Sequence, residues 1–152
     1  DLLPGALGGQ LHEVEHLWFY SAVGNNQLTE PWLDEAMTTY ICTEYIRANF
    51  PDQYARSWAA NTSGATSARP ITSGVFSGFG SENQYTATVY DTAVVMLNKV
   101  RVAMGDTAFY DALHDYYDTF KLKRATTRDL VTTFQRHSKA DIGNIFAQYL
   151  WY

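Results

Sequence analysis

An all-α fold is predicted for this chain, on three grounds. Apolar residues recur at helical spacing through most of the sequence, breaker and cap residues divide it into helix-length pieces, and alternation with a period of two is nowhere sustained. That division predicts about six to seven helices.

The elements follow in order. A first helix is expected from about Ala6 to Ser21, with Pro4 and Gly5 punctuating its start. Gly24-Asn25-Asn26 forms a turn cluster. Pro31 suits a first helical position, and the helix behind it can run to about Asn49, before Pro51. A shorter helix covers Pro51 to Ala60. From Asn61 to Gln84 the chain is rich in Ser, Thr and Gly, which predicts a long irregular loop, either functional or a plain surface excursion. Helical pattern returns with Val89, Ala93, Leu97, Val100 and Met104 on one stripe. Gly105-Asp106 reads as a C′ glycine followed by a new N-cap. Phe109, Leu113, Tyr116 and Phe120 make the next stripe. Thr126 with Asp129 three residues later reads as a capping box opening a helix through Leu130, Val131 and Phe134. Ser138 or Asp141 can cap a last helix carrying Ile142, Ile145, Phe146 and Tyr149.

The 152 residues make one domain's worth of chain, 46% hydrophobic and 18% charged, a composition that excludes wholesale disorder. No apolar run approaches the roughly 20 residues of a membrane-spanning helix. The single cysteine, Cys42, excludes an internal disulfide framework and a cysteine-built zinc finger. A net charge of -5 argues against nucleic acid as the main partner. The chain opens at Asp1 without a methionine or a leader, so it is expected to be a piece of something longer, and its compartment is left open.

The sharpest chemical signal is His12-Glu13-Val14-Glu15-His16, an H-E-x-x-H sequence inside the first predicted helix. Four positions along a helix leave His12 and His16 about 40° apart and one turn up the axis, so both imidazoles can converge on one ion. Glu13 is offset toward the same side, where it can hold a water without binding the metal. Such a motif arises by chance roughly 4 times in 1000 at this composition. A third ligand is well placed in Glu35, in PWLDEA, on the next predicted helix. Two His and one Glu leave the fourth position of a tetrahedral ion open to water, and N and O donors with a lone cysteine favour zinc. The plain alternative is a solvated helix face with a fortuitous spacing.

HEVEHLWFYSAVGNNQLTEPWLDEAMTTY resembles the H-E-x-x-H-(x18)-E signature of the aminopeptidase-N-like zinc metallopeptidases, which are gluzincins. The likeness continues through TVYDTAVVML and through the tail from Gly105 to Trp151, so it covers nearly the whole chain. It implies one Zn2+ held by His12, His16 and Glu35, Glu13 as general base, and Tyr90 as a catalytic tyrosine. Tyr85 is implied to line the same pocket. It also implies peptide substrates, cleaved at the N-terminus, and the helical C-terminal lobe of a thermolysin-like catalytic domain. Residues 1–152 would then be a single lobe whose β-containing upstream partner lobe, with its amine-holding strand, is missing from this stretch. The family's Gln after the second His is Leu17, and the Lys of the tyrosine segment is Thr92. A gluzincin endopeptidase and a non-catalytic helical interaction module with a vestigial zinc site are the alternatives.

Other residues read more plainly. By its residues alone Tyr90 could be a core aromatic with a satisfied hydroxyl. Asp34 could orient a histidine or serve as helix N-terminal charge. Glu15, on the same helix as the two histidines, could support a ligand but reads as a solvent-facing charge, His114 and His137 as exposed bystanders, and Cys42 as a small buried apolar residue. The aromatic content of 15% fits a lobe cut from its partner, which predicts an apolar face and self-association.

Overall fold

The computed structural model of the chain describes residues 5–66, 71–74 and 79–150. Helix α1 spans Gly5–Glu15, α2 Trp32–Asn49, α3 Pro51–Ala60 and α4 Glu82–Thr86. A π-helical turn, Ala87–Thr92, joins α4 without a break to α5, Ala93–Met104. Then come α6 (Asp106–Phe120), α7 (Thr127–His137) and α8 (Gly143–Tyr149). Counted with α4 to α5 as one rod, the described residues form seven helices, and the fold is all-α. The expected Pro4 start and the stretches 67–70 and 75–78 of the expected loop lie outside the described residues.

Two two-residue strands make the only sheet among the described residues. In it β1 (Val23–Gly24) runs parallel to β2 (Lys123–Arg124), tying the segment after α1 to the α6–α7 junction. Gly24 allows the close approach, since a Cβ would sit 3.3 Å from the Lys123 carbonyl oxygen.

Helix α2 is central, packed against α1, α3, the π turn and α5. It is therefore buried on most sides, from Trp32 at its start to Ile46. The α5 stripe behaves as its spacing demands: Val89, Ala93, Leu97 and Val100 are fully buried, and Met104 packs on the core edge. Phe109, Leu113 and Tyr116 of α6 and Phe134 and Phe146 of α7 and α8 complete the core. Much of the aromatic content is thus interior, with Trp32, Tyr40, Tyr116, Phe109, Phe134 and Phe146 all fully buried. The remainder includes an exposed apolar run on and after α1, where Val14, Leu17, Trp18 and Tyr20 are each more than 40% exposed.

Charges that enter the core do so in partnership. The buried Glu44 carboxylate accepts hydrogen bonds from the Arg47 guanidinium (2.7 and 2.9 Å) and the Tyr110 hydroxyl (3.0 Å), joining α2 to α6. Burial pushes the Tyr110 hydroxyl up, and the Glu44 charge beside it adds to the effect.

Several local expectations are corrected. Helix α1 stops at Glu15 instead of running to Ser21, because the chain tightens into a turn and then reverses, with Tyr20 at φ 109°. Asp106 is the first helical residue of α6, its N-cap being Gly105 at φ 81°. Thr126 and Asp129 do form the reciprocal capping box. Asp141 accepts from the Gly143 N–H at 3.1 Å just ahead of α8, where Ile142 occupies the cap. The expected loop ends sooner than Gln84, since α4 begins at Glu82. The loop is also pinned: Gly64 donates to Asp91 (2.7 Å), Thr66 to Thr92 (2.8 Å), and Ile71 to the Tyr149 carbonyl (2.9 Å).

Candidate metal centre

His12 lies in the last turn of α1. His16 lies one residue beyond the helix end, although its N–H still reaches the His12 carbonyl at 3.3 Å. The next two residues form tighter three-residue bonds, Leu17 to Val14 and Trp18 to Glu15, both 3.0 Å, and the chain then folds back so that Phe19 bridges to Val23. This reversal carries the Phe19 carbonyl to 3.1 Å from Nδ1 of His16. A carbonyl only accepts, so that nitrogen holds the ring proton and Nε2 of neutral His16 is a bare lone pair.

Glu35 sits in the first turn of α2, which packs directly on α1. An acidic side chain is favourable at that position because the helix N-terminus carries partial positive charge. Nε2 of His12 is 3.1 Å from Nε2 of His16 and 3.2 Å from Oε2 of Glu35, and the His16–Glu35 separation is 3.5 Å. Donors about 2.0–2.1 Å from one tetrahedral ion stand about 3.3–3.4 Å apart. The observed triangle is that of three donors around one small cation. The three side chains are 18–19% exposed, so the centre is sheltered but open on one side.

The donor set itself asks for a cation, since lone pairs on two imidazoles and a carboxylate converge with little intervening positive charge. Burial opposes ionisation of Glu35, but its His12 and Tyr90 neighbours outweigh it, holding the carboxyl below its ordinary value. Nitrogen and carboxylate ligands with no thiolate suit zinc, and these residues fit it.

Tyr90 comes to this centre from the π turn, a geometry that recurs at functional sites. Its ring stands over the centre, with its centroid 6.1 Å from that of His12, and its hydroxyl feels the Glu35 charge. The extra residue in the turn is accommodated by Thr92, whose hydroxyl lies 2.6 Å from the Ala87 carbonyl five residues back. Burial, and then the Glu35 charge, push the Tyr90 hydroxyl far above its ordinary value. Tyr85 packs edge-on behind Tyr90 at 6.1 Å, and Phe79 on Tyr85 at 5.4 Å. Burial, with the charges of Glu35 and Asp34, pushes the Tyr85 hydroxyl up to about 12.

Glu13 is on the exposed side of α1 and makes no hydrogen bond or ion pair among the described residues. Asp34 is 1% exposed and faces no histidine; it accepts from Asn25 (2.9 Å) and Gln27 (2.7 Å), fastening the turn before α2. Two of the plainer readings change. Glu15 is half-buried, and burial raises its carboxyl. His137 is also half-buried and pairs with Asp115 at 2.9 Å. His114 is exposed and Cys42 is buried, as expected. Leu17 points outward at 61% exposure, away from any role as a ligand partner. Sequence reasoning missed Thr38 and Thr39, each 3.2 Å from Nδ1 of His12. Their spacing of three and four residues after Glu35 was the available signal.

A cavity of about 520 Å³ opens beside the centre, lined by His12 and Tyr90 and by Arg56, Ser57 and Asn61 of the α3 region.

The model of the peptidase family M1 domain matches residues 10–149. This chain belongs to peptidase family M1. The M1 chain is 31% identical over 150 residues to an aminopeptidase N of Lactobacillus helveticus, a match covering 91% of this chain and 18% of that protein. Against a probable aminopeptidase 2 of Sulfurisphaera tokodaii it is 24% identical over 147 residues, covering 91% and 19%. Among solved structures, the M1 zinc metallopeptidase of Deinococcus radiodurans superposes with a TM-score of 0.75 at 25% identity, covering 94% of this M1 chain and 32% of that one. The M1 chain thus spans about a fifth of the length of the curated relatives it matches.

Proposed function

We propose that this chain is the helical lobe of a longer zinc-dependent peptidase that removes N-terminal residues from peptides. The observation that carries the reading is the triangle of His12, His16 and Glu35 donors, 3.1–3.5 Å on a side, with the Tyr90 ring 6.1 Å from that of His12. Membership of a peptidase family and likeness to aminopeptidases support it.

His12, His16 and Glu35 would hold the ion. Bound zinc supplies a Lewis acid that makes water acidic near neutral pH and polarises a carbonyl. The chain's own residues do the rest. Glu13, exposed beside the two histidines, accepts a proton from water on its carboxylate and returns it to the leaving amine nitrogen. Tyr90 keeps its phenolic proton at neutral pH because burial and Glu35 oppose its loss. The retained O–H donates a hydrogen bond to the substrate oxygen as negative charge develops, and one such preorganised donor is worth about 3 kcal/mol. Tyr85 packs behind the Tyr90 ring and limits its swing. The cavity reaching from His12 to Arg56 gives a peptide side chain room next to the reacting bond.

A zinc titration of metal-stripped protein tests the reading. Uptake near one equivalent is expected, with loss in Glu35→Ala. No uptake, or uptake indifferent to Glu35→Ala, refutes it. In the full-length protein, free peptides should be cleaved and N-blocked peptides spared; equal cleavage of both would replace the aminopeptidase reading with an endopeptidase.

A further inference from the structure

We infer that Thr38 and Thr39 are a redundant pair of positioning residues that lock His12 in the tautomer carrying its proton on Nδ1, and thereby preset Nε2 as a bare metal donor. The inference rests on the zinc reading of the site for its consequence, but its physical core concerns the metal-free protein.

A threonine hydroxyl owns one proton and two lone pairs. Thr38 donates to the Glu35 carbonyl oxygen at 2.9 Å and Thr39 to the same oxygen at 2.7 Å. Both hydroxyl oxygens also stand 3.2 Å from Nδ1 of His12. Each hydroxyl is closer to the Glu35 carbonyl than to the ring, so it spends its proton there and accepts at His12, and the ring supplies the N–H. A neutral imidazole carries one N–H, and Nε2 is left as a lone pair facing His16 and Glu35.

The competing arrangement is visible in the same contacts. Nε2 of His12 is 3.2 Å from Oε2 of Glu35, so a proton on Nε2 would also find an acceptor. That proton would have to be displaced before an ion could bind. The two hydroxyls decide between the tautomers by rewarding Nδ1–H, and no solvent replaces them, since Thr38 is 0% and Thr39 8% exposed. Consecutive helical residues stand 100° apart around the axis, so the pair straddles the ring edge and either hydroxyl can serve alone. The Glu35 main chain therefore steers the ring of the first ligand while its side chain supplies the third.

The test uses the 152-residue chain with 15N-labelled histidine. Long-range proton–nitrogen correlation on the metal-free protein, with its rings neutral, reads the His12 tautomer. Zinc affinity is read by chelator competition. Thr38→Val and Thr39→Val alone should keep the Nδ1–H signature and change zinc affinity less than about threefold. The double valine variant should move the proton to Nε2 and weaken zinc by about 10–100-fold, the usual cost of losing a ligand's supporting hydrogen bond. The double serine variant, which keeps the hydroxyls, should restore both readouts. Wild-type protein with Nε2–H at His12 overturns the inference, as does a double valine variant with unchanged tautomer and affinity. Serine variants as impaired as the valine ones also overturn it, because packing would then be the cause. A wild-type chain that takes up no zinc sinks the proposed function, while the tautomer measurement still decides this point.

Discussion

The start of α2 hangs on one buried hydrogen bond whose removal has a calculable cost. The Trp32 indole N–H donates to the Thr127 hydroxyl at 3.0 Å, with Trp32 0% and Thr127 2% exposed. Glu30 reinforces the junction by accepting from the Thr127 N–H at 2.8 Å. Trp32 lies one turn before Glu35, so this bond anchors the ligand-bearing turn to α7. Trp32→Phe removes roughly 40 Å³ of packed volume, worth about 1 kcal/mol at about 24 cal/mol per Å³. It also strips the Thr127 hydroxyl of its buried partner, adding about 1–3 kcal/mol. The sum, about 2–4 kcal/mol, lowers the melting temperature by roughly 5–15 °C in a domain of this size. Thr127→Val leaves the indole N–H orphaned and should cost about 1–3 kcal/mol. The double variant has neither orphan and should be more stable than the sum of the singles implies, by at least about 1 kcal/mol. Chemical denaturation of the four proteins measures this coupling. Additivity to within about 0.3–0.5 kcal/mol would refute the reasoning, because it would mean that the two groups do not depend on each other.

Three further outcomes are expected. Tyr20 holds φ 109° with its side chain half in solvent, a conformation costing about 1–3 kcal/mol for a non-glycine residue. Tyr20→Gly should therefore be more stable by about 1 kcal/mol after the entropy of glycine is subtracted; an unchanged or lower melting temperature counts against strain at this corner. Burial raises the Asp91 carboxyl despite the Gly64 N–H that it accepts. Between the unfolded and the raised folded value the native state binds more protons, so stability falls as pH rises through that window and is flat above it. Asp91→Asn keeps an acceptor for Gly64 and should lose that slope in thermal melts across the acid range; a slope identical to wild type would show that another group carries it. The exposed run of Val14, Leu17, Trp18 and Tyr20 should make the chain self-associate, and Leu17→Glu with Trp18→Glu should reduce the association in sedimentation velocity. A monomeric wild type at high concentration would remove that expectation.

The α5 and α6 stripes and the capping box at Thr126 were readable one by one, because each reports an interaction within a few residues of chain. The end of α1 was not. Nothing local to Leu17-Trp18-Phe19 breaks a helix; the reversal is held by Phe19 and Val23 bridging and by β1 pairing with β2 about a hundred residues away. The π turn was equally hidden. Thr92 and Asp91 look ordinary in a helical run, and only the loop residues Thr66 and Gly64 docking onto them show why the helix widens there.

The sequence by itself determined the helical class, most helix boundaries, and the set of side chains able to meet around an ion. The class and boundaries depend on spacing along single helices, and the ligand set on motif spacing across two of them, both of which the amino-acid order encodes directly. Tertiary structure decided that α2 lies against α1 so that Glu35 stands 3.2 Å from His12, and that the Tyr90 ring comes within 6.1 Å of the His12 ring. It also decided which ring nitrogens carry protons. Hydrogen-bond partners from Phe19, Thr38 and Thr39 set that, and such partners exist only once separate segments have packed together.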